Sequence, residues 1–190
     1  MASVSAGELG GVESLYLAIR TSRLPEPAGG ADVLAELGPE ALDFALAVLP
    51  GRIASVHATG GALFREAVLD TVVLIIAAQP GAVATIELSR CLPSTIPTTG
   101  LGEVEIEVIG RLGALRITPY PAVMVTTDHG VAARPLLDVP NPARSGPIRS
   151  LDGNEAVQAA LAAARLSLTR GVPVDTVSLP AAEEMKDLRP

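Results

Sequence analysis

Apolar and polar residues alternate along several short segments of the chain, and this alternation predicts strands. The clearest case is residues 103–108, where three glutamates occupy alternate positions and valine or isoleucine fills the positions between them. Other strands are predicted over 12–20, 52–59, 70–78, 82–90, 114–118, 122–127 and 131–134. Gln79-Pro80-Gly81 predicts a hairpin turn, and loops are expected over 24–30, 91–101 and 137–147.

Two segments have the spacing of three to four residues between apolar positions that is typical of helices. In the first, residues 32–49, Pro39 should remove one hydrogen bond and clash with the preceding turn, at a cost of about 3 kcal/mol. We therefore predict a short turn ending near Gly38 and a main helix that starts at Pro39. The second helix is predicted over 152–170, with Asp152 as its N-cap, Glu155 completing a capping box and Gly171 ending it.

The order of these elements is strand, helix, about seven strands and helix, which predicts an α+β fold. We expect a single domain over 1–174, a large mixed and mainly antiparallel open sheet with the helices packed on one face, followed by a polar tail over 175–190. The chain lacks both a repeated strand–helix alternation and a G-x-G-x-x-G sequence after a strand. A dinucleotide-binding Rossmann unit is therefore not expected within it.

Composition narrows the possible partners. A net charge of −7 argues against nucleic acid and anionic membranes. The one cysteine, Cys91, excludes an internal disulfide and a cysteine-based metal cluster. The first eleven residues lack the basic region of a signal peptide, and the most apolar run is too short to span a bilayer. We expect a cytoplasmic protein that binds neither nucleic acid nor membrane.

Acidic residues carry the main candidate chemistry. Asp32, Glu36, Glu40 and Asp43 are spaced by four, four and three residues, which would place them on one face of a continuous helix. They could form a carboxylate cluster in a cleft, but a solvated acidic face, with its register bent by Pro39, is the simpler interpretation. A second acidic strip, Glu103, Glu105 and Glu107, could face solvent or meet arginines across a dimer interface; the candidate arginines are Arg90, Arg111 and Arg116.

The remaining reactive side chains favour structural roles. His57 lies on a predicted strand and His129, beside Asp128, in a predicted hairpin turn, and neither has a metal-site pattern around it. Cys91 ends a predicted strand without a neighbouring His or Lys in the sequence, as a plain buried or edge thiol would.

An ordered series of short phrases resembles the C-terminal domain of the Gfo/Idh/MocA oxidoreductases, the glucose–fructose and inositol dehydrogenase family. From its first phrase to its last, the series spans about nine-tenths of the chain. They are Gly7-Glu8-Leu9-Gly10-Gly11-Val12, Gly29-Gly30, Gly38 with Asp43, Ser55-Val56-His57-Ala58, Asp70 with its apolar strand, Gly81-Ala82, Ile86-Glu87-Leu88-Ser89, Ile109-Gly110-Arg111-Leu112-Gly113 and Arg170-Gly171-Val172-Pro173-Val174.

The resemblance implies a large open sheet whose uncovered face commonly forms the dimer interface. It also implies an active site built from a D-x-x-x-H stretch and a further aspartate; the matching positions here, Glu36, Glu40 and Asp43, are the candidate catalytic residues. Glu40 stands in place of the histidine, and a carboxylate is a much weaker base than imidazole. The family's N-terminal Rossmann domain, which binds NAD(P) and supplies a catalytic lysine, has no counterpart here, since the one lysine is Lys186 in the tail.

Three hypotheses follow. The first is a substrate-binding and oligomerisation domain of an NAD(P)-dependent sugar or cyclitol dehydrogenase, inactive alone and binding no cofactor by itself, with NAD(P) available only if a separately encoded Rossmann-domain protein supplies the nucleotide site. The second is a non-catalytic binding or scaffold protein that has kept the fold. The third is a cofactor-independent acid–base enzyme that uses Glu36 and Glu40. In each case a homodimer through the open sheet face is expected, because a large exposed apolar face is rare in monomers.

Overall fold

A computed structural model of the chain describes residues 7–22, 32–64, 68–92, 103–118, 122–127, 130–135 and 154–177. Within these ranges two helices and nine strands form, in the order β1, α1, β2 to β8, α2 and β9. The helices are α1 (Val33–Val48) and α2 (Glu155–Arg170). The strands are β1 (Val12–Ser22), β2 (Arg52–Gly61), β3 (Thr71–Gln79), β4 (Val83–Leu92), β5 (Glu103–Gly110), β6 (Gly113–Ile117), β7 (Ala122–Thr127), β8 (Gly130–Pro135) and β9 (Val174–Asp175).

All nine described strands belong to one sheet, in the order β8-β7-β6-β5-β1-β4-β3-β2-β9. Among the described pairs, β1 with β4 is parallel and the others are antiparallel. This confirms the predicted α+β fold with a mixed, mainly antiparallel sheet. The predicted hairpin between β3 and β4 is confirmed as well, and β5 and β6 form a second antiparallel pair joined by a short turn.

The core lies between the two helices and one face of the sheet. Alternate residues of the central strands fill it, among them Leu15, Leu17, Leu74, Ile76, Ile86 and Leu88, all of them buried. The helices add Leu34, Leu42, Val157 and Ala160 from above. Because side chains alternate between the faces of a strand, the other set points to a face that neither helix covers. That second face is called the open face below.

The predicted break at Pro39 is wrong, since α1 runs unbroken from Val33 to Val48 with Pro39 inside it. Proline clashes with the Cβ of the preceding residue in helical conformation, and Gly38 has no Cβ. Gly38 also lets α2 approach closely, because a Cβ there would lie 2.9 Å from Leu161 Cδ2. The helix therefore continues past Pro39 although the proline removes one backbone hydrogen bond.

The ends of α2 also correct the prediction in part. Asn154, and not Asp152, is the N-cap, and its side-chain oxygen accepts from the Val157 N–H at 3.4 Å; Asp152 itself lies outside the described residues. Gly171 ends the helix as predicted, with a φ of 69° that favours glycine. After the helix, the short strand β9 pairs with the edge of β2 through Val174 and Asp175. The sequence analysis did not predict this strand, because two residues are too few to show an alternating pattern.

Candidate functional site

Asp32, the first of the candidate carboxylates, holds the start of α1. Its Oδ1 accepts from the Ala35 N–H at 2.6 Å, which makes it the N-cap of the helix. Its Oδ2 accepts from Arg165 Nη1 of α2 at 3.1 Å. Next to it, the Val33 N–H donates to the Leu69 carbonyl, which ties the helix start to the loop before β3. Asp32 is therefore fixed by contacts to both helices.

Glu36 forms an ion pair with Arg90, the buried cation of this region. The Arg90 side chain is only 3% exposed, whereas that of Glu36 is 44% exposed and reaches solvent. Burial lowers the pKa of Arg90, and the negative charge of Asp32 partly opposes that shift. Two carboxylates at the start of α1 therefore lie near the guanidinium of Arg90 on β4: Glu36 pairs with it, and the charge of Asp32 raises its pKa.

Asp70 fixes the backbone beside this ion pair. It is buried, and its carbonyl accepts from the Arg90 N–H at 2.9 Å. Its Oδ2 accepts from the Phe64 N–H at 3.0 Å, and its own N–H donates to the Gly61 carbonyl at 3.0 Å. Asp70 thus links the described residues at the end of β2 to β4 beside the Glu36–Arg90 pair.

The other two candidate catalytic residues lie in different surroundings. Glu40 is exposed on α1. Asp43 is half-buried and accepts from Asn154 Nδ2 at 3.1 Å, so it joins α1 to the N-cap of α2. The structure therefore brings Asp32 and Glu36 together at Arg90 and gives Asp43 a partner on the other helix. Of the four carboxylates, Glu36 and Glu40 are exposed whereas Asp32 and Asp43 are half-buried, and both exposed carboxylates can accept hydrogen bonds from hydroxyl groups.

Arg90 is a residue whose position the sequence-based reasoning misjudged. It was a candidate partner for the acidic strip on β5, but it lies on the opposite, helix-covered face. The physical reason is the period of two along β4, where Ala84, Ile86 and Leu88 point to the core and Arg90 continues the same series. The sequence does contain a signal for this position, because Arg90 follows Ala84, Ile86 and Leu88 at the same spacing of two residues.

The open face carries a charged network centred on β1. Arg20 donates from Nε and Nη2 to both carboxylate oxygens of Glu87, each at 2.7 Å. The Tyr16 hydroxyl donates to Glu87 at 3.1 Å and accepts from Arg20 Nη2 at 3.1 Å. The hydrogen bonds from Arg20 are the largest cause of a lowered pKa at Glu87, and burial followed by the charge of Glu87 raises the pKa of Tyr16. Tyr16, Arg20 and Glu87 thus form hydrogen bonds with one another within one chain.

The acidic strip of β5 continues this network. Glu105 lies 3.7 Å from Arg20 Nη1 and 4.0 Å from Arg116 Nη2, and Glu107 lies 3.6 Å from Arg116 Nε. Of the arginines considered from sequence, Arg116 is thus a partner within the chain, whereas Arg111 pairs with Glu13. The role of Arg20 was not foreseen.

His57 and the buried hydroxyl of Ser167 join α2 to the edge of β2. The Ser167 hydroxyl accepts from the Ala58 N–H at 2.9 Å and donates to the Val172 carbonyl at 2.7 Å. His57 Nδ1 lies 3.3 Å from the same oxygen. Because the one hydroxyl proton goes to Val172, His57 Nδ1 must be the donor in its own contact. His57 thus lies on a strand, as predicted, and bonds to a helix.

Metal ligation and membrane insertion find no support in the described ranges. No group of three or more His, Cys, Asp or Glu side chains there could hold a metal ion. Cys91 is a half-buried free thiol near the end of β4, and His129 lies outside the described residues. Neither described helix is long and apolar enough to cross a membrane.

Comparison with known families and structures identifies the fold. The model of the GFO/IDH/MocA C-terminal domain matches residues 2–116, which is more than half of the chain. The chain therefore belongs to the GFO/IDH/MocA C-terminal domain family, a family of oxidoreductase domains. Comparison with curated protein sequences finds no match.

Three solved structures that share this fold show what the chain is similar to. An oxidoreductase from Agrobacterium radiobacter, in complex with NAD+, L-tartaric acid and magnesium, is 19% identical with a TM-score of 0.70, covering 93% of this chain and 60% of that one. An oxidoreductase from Thermotoga maritima is 18% identical with a TM-score of 0.72, covering 92% and 58%. Levoglucosan dehydrogenase, in complex with NADH and levoglucosan, is 15% identical with a TM-score of 0.65, covering 92% and 61%. The chain thus spans about 60% of the length of these relatives.

Proposed function

We propose that this chain is the substrate-binding and oligomerisation domain of an NAD(P)-dependent dehydrogenase that acts on a sugar or a cyclitol. The observation that carries the proposal is the family match over residues 2–116. It is supported by the fold shared with oxidoreductases whose structures contain NAD+ or NADH, of which about 40% lies outside the part covered by this chain. In this proposal the nucleotide site comes from residues other than these 190, and the chain alone is inactive.

Glu36 and Glu40 are the side chains that would contact the substrate. Both lie on α1, and Glu36 is held by buried Arg90 while its carboxylate still reaches solvent. A positioned carboxylate that accepts hydrogen bonds from two hydroxyl groups suits a polyol. In this proposal NAD(P)+ bound by its own domain would supply the hydride acceptor, and Glu40, which stands in place of the family's histidine, would receive the hydroxyl proton. Asp43 holds α1 against Asn154 of α2 and supports this geometry from behind.

Reconstitution tests this proposal. A separately produced NAD(P)-binding domain, encoded upstream of or beside this chain, is mixed with it, and reduction of NAD+ or NADP+ is followed at 340 nm on a panel of sugars and cyclitols. We expect turnover from the pair and none from either part alone. Glu40→Gln should then lower kcat, with Glu8→Gln, the same change at an exposed carboxylate that precedes β1, as the control. Turnover by this chain alone, or unchanged turnover in Glu40→Gln, would contradict the proposal.

A homodimer through the open face is the second part of the proposal. Among the residues whose side chains the structure describes, three large apolar ones on this face are exposed in the single chain: Ile75, Val83 and Ile109. Covering them would remove apolar surface from water, which is the main favourable term in protein association. A monomer in sedimentation equilibrium at micromolar concentration would contradict this part and leave the dehydrogenase assignment untouched.

A further inference from the structure

Phe64, which follows β2, differs from the other aromatic residues that the structure describes. Phe44 packs against the core, and the Tyr16 hydroxyl donates to Glu87 on the open face. The Phe64 side chain is 44% exposed and is not among the residues that pack in the described core. A large apolar ring therefore stays partly in contact with water, and its burial against a ligand would be favourable.

A buried carboxylate holds the backbone of this exposed residue. The Phe64 N–H donates to Asp70 Oδ2 at 3.0 Å, and Asp70 is only 1% exposed. The N–H of Asp70 in turn donates to the Gly61 carbonyl at the end of β2, also at 3.0 Å. An aromatic side chain has two rotatable bonds, so a ring on a fixed backbone loses little conformational entropy when a ligand covers it.

The same carboxylate lies beside the Glu36–Arg90 pair. The register of β3 and β4 pairs Thr71 with Ser89, so the next residues, Asp70 and Arg90, lie opposite each other. Each continues the inward-facing apolar series of its strand, and the two side chains therefore share the helix-covered face. Neighbouring strands are about 5 Å apart. Phe64 is thus connected to the candidate residue Glu36 through Asp70 and Arg90.

An exposed aromatic ring near an exposed carboxylate suits one shape of polyol. The ring of a sugar or a cyclitol carries hydroxyl groups around its rim and C–H groups on its two faces. Glu36 can accept hydrogen bonds from the rim, and Phe64 can cover a C–H face and remove it from water. Binding sites for small molecules combine aromatic surface with a few polar groups in this way. An open-chain polyol offers the hydroxyl groups but has no such face.

From this arrangement we propose that Phe64 is a specificity-determining residue, which stacks on the C–H face of a cyclic substrate while Glu36 accepts hydrogen bonds from its hydroxyl groups. The inference rests on the proposed function, because it assumes that the start of α1 carries the substrate site. It adds a residue outside the three candidate catalytic positions. It also restricts the substrate class, since the site then prefers a ring to an open chain with the same number of hydroxyl groups.

Two probes with equal numbers of carbons and hydroxyl groups test this preference: myo-inositol, a ring, and D-sorbitol, an open chain. Each is titrated into the purified chain, saturation-transfer difference NMR gives its dissociation constant, and circular dichroism confirms that each variant is folded. We expect the wild type to bind myo-inositol more tightly than D-sorbitol. Phe64→Ala should weaken the binding of myo-inositol by about tenfold and leave that of D-sorbitol within about twofold. Phe64→Tyr keeps the ring and should restore the preference.

Leu63→Ala is the matched control, because Leu63 is the neighbouring apolar residue and is 62% exposed; it should bind both probes as the wild type does. If Phe64→Ala binds myo-inositol unchanged, weakens both probes equally, or has no larger effect than Leu63→Ala, the role given to Phe64 is wrong while substrate binding stands. If the wild type binds neither probe, the substrate-binding part of the proposed function fails together with this inference. Should Phe64→Ala not fold, Phe64→Leu decides, since it keeps an apolar side chain without a ring.

Discussion

The two faces of the sheet differ in how many charged side chains they carry and in how deeply these are buried. The helix-covered face is apolar and contains one described buried guanidinium, that of Arg90, which meets Glu36 at the solvent boundary. Among the described residues, the open face carries five charged side chains that pair in a network around β1 and β5, beside three exposed apolar ones. We therefore expect substitutions on the covered face to change the stability of the chain most. The open face, which exposes apolar side chains to solvent, is the face that a partner could cover.

The largest contrast is expected between two neighbouring isoleucines of β3. Ile76 is fully buried under the helices, and Ile75 lies on the open face. We expect Ile76→Ala to lower the free energy of unfolding by about 2–5 kcal/mol, because it removes buried methyl groups and leaves a cavity. Ile75→Ala should cost less than about 1 kcal/mol at low protein concentration. Urea unfolding measures both.

Protein concentration sharpens this contrast. If a second copy covers the open face, the effect of Ile75→Ala should grow as the concentration rises, because a substitution in an interface weakens association. The effect of Ile76→Ala should stay constant. Equal losses for the two variants in the dilute protein would contradict the division into a covered and an open face.

A pair of carboxylates gives the next contrast. Glu36→Ala removes an ion-pair partner of buried Arg90, and we expect a loss of about 1–3 kcal/mol, because a buried charged group then loses an opposite charge that compensates its burial. Glu107→Ala removes a partner of half-exposed Arg116, and pairs of that kind contribute at most about 1 kcal/mol. Chemical denaturation at pH 7 compares them. A larger loss for Glu107→Ala would mean that the open-face network, and not Arg90, is the important charge pairing.

The next contrast concerns the hydrogen bond between Ser167 of α2 and the edge strand β2. Ser167→Ala leaves the Ala58 N–H without its described acceptor, and we expect a loss of about 1–3 kcal/mol. Thr169→Ala, two residues along the same helix, removes only an exposed hydroxyl that bonds to the Arg165 carbonyl; it should stay within about 0.5 kcal/mol of the wild type. Similar values for both variants would show that the Ser167 hydroxyl does not hold α2 to β2.

The smallest effect concerns acid stability. Arg20 holds the pKa of Glu87 below its ordinary value of 4.5 in the folded chain. The stability that this carboxylate contributes is therefore present above that value and is lost as the pH falls through the lowered pKa. We expect the stability of the wild type to fall more steeply from about pH 5 downward than that of Glu87→Gln. Arg20→Gln should flatten the curve in the same way, and an unchanged slope in both variants would contradict the assignment.

Sequence periodicity predicted the strands and the open face because alternation is local. Glu103, Glu105 and Glu107 needed no tertiary information to be placed on one face. The continuous helix through Pro39 did need it, since Gly38 and the packing of Leu161 decide that proline is tolerated there. The same holds for the candidate site: the spacing of Asp32, Glu36, Glu40 and Asp43 was visible, but Arg90, Arg165 and Asn154, which hold three of them, come from distant parts of the chain.

The central claim, that these 190 residues form the substrate domain of a dehydrogenase and take their nucleotide site from elsewhere, has one direct test. NAD+ and NADP+ are each titrated into the purified chain in an isothermal calorimeter, up to millimolar concentration. The account predicts no heat of binding for either nucleotide. Saturable binding of either one, at one site per chain, would contradict it.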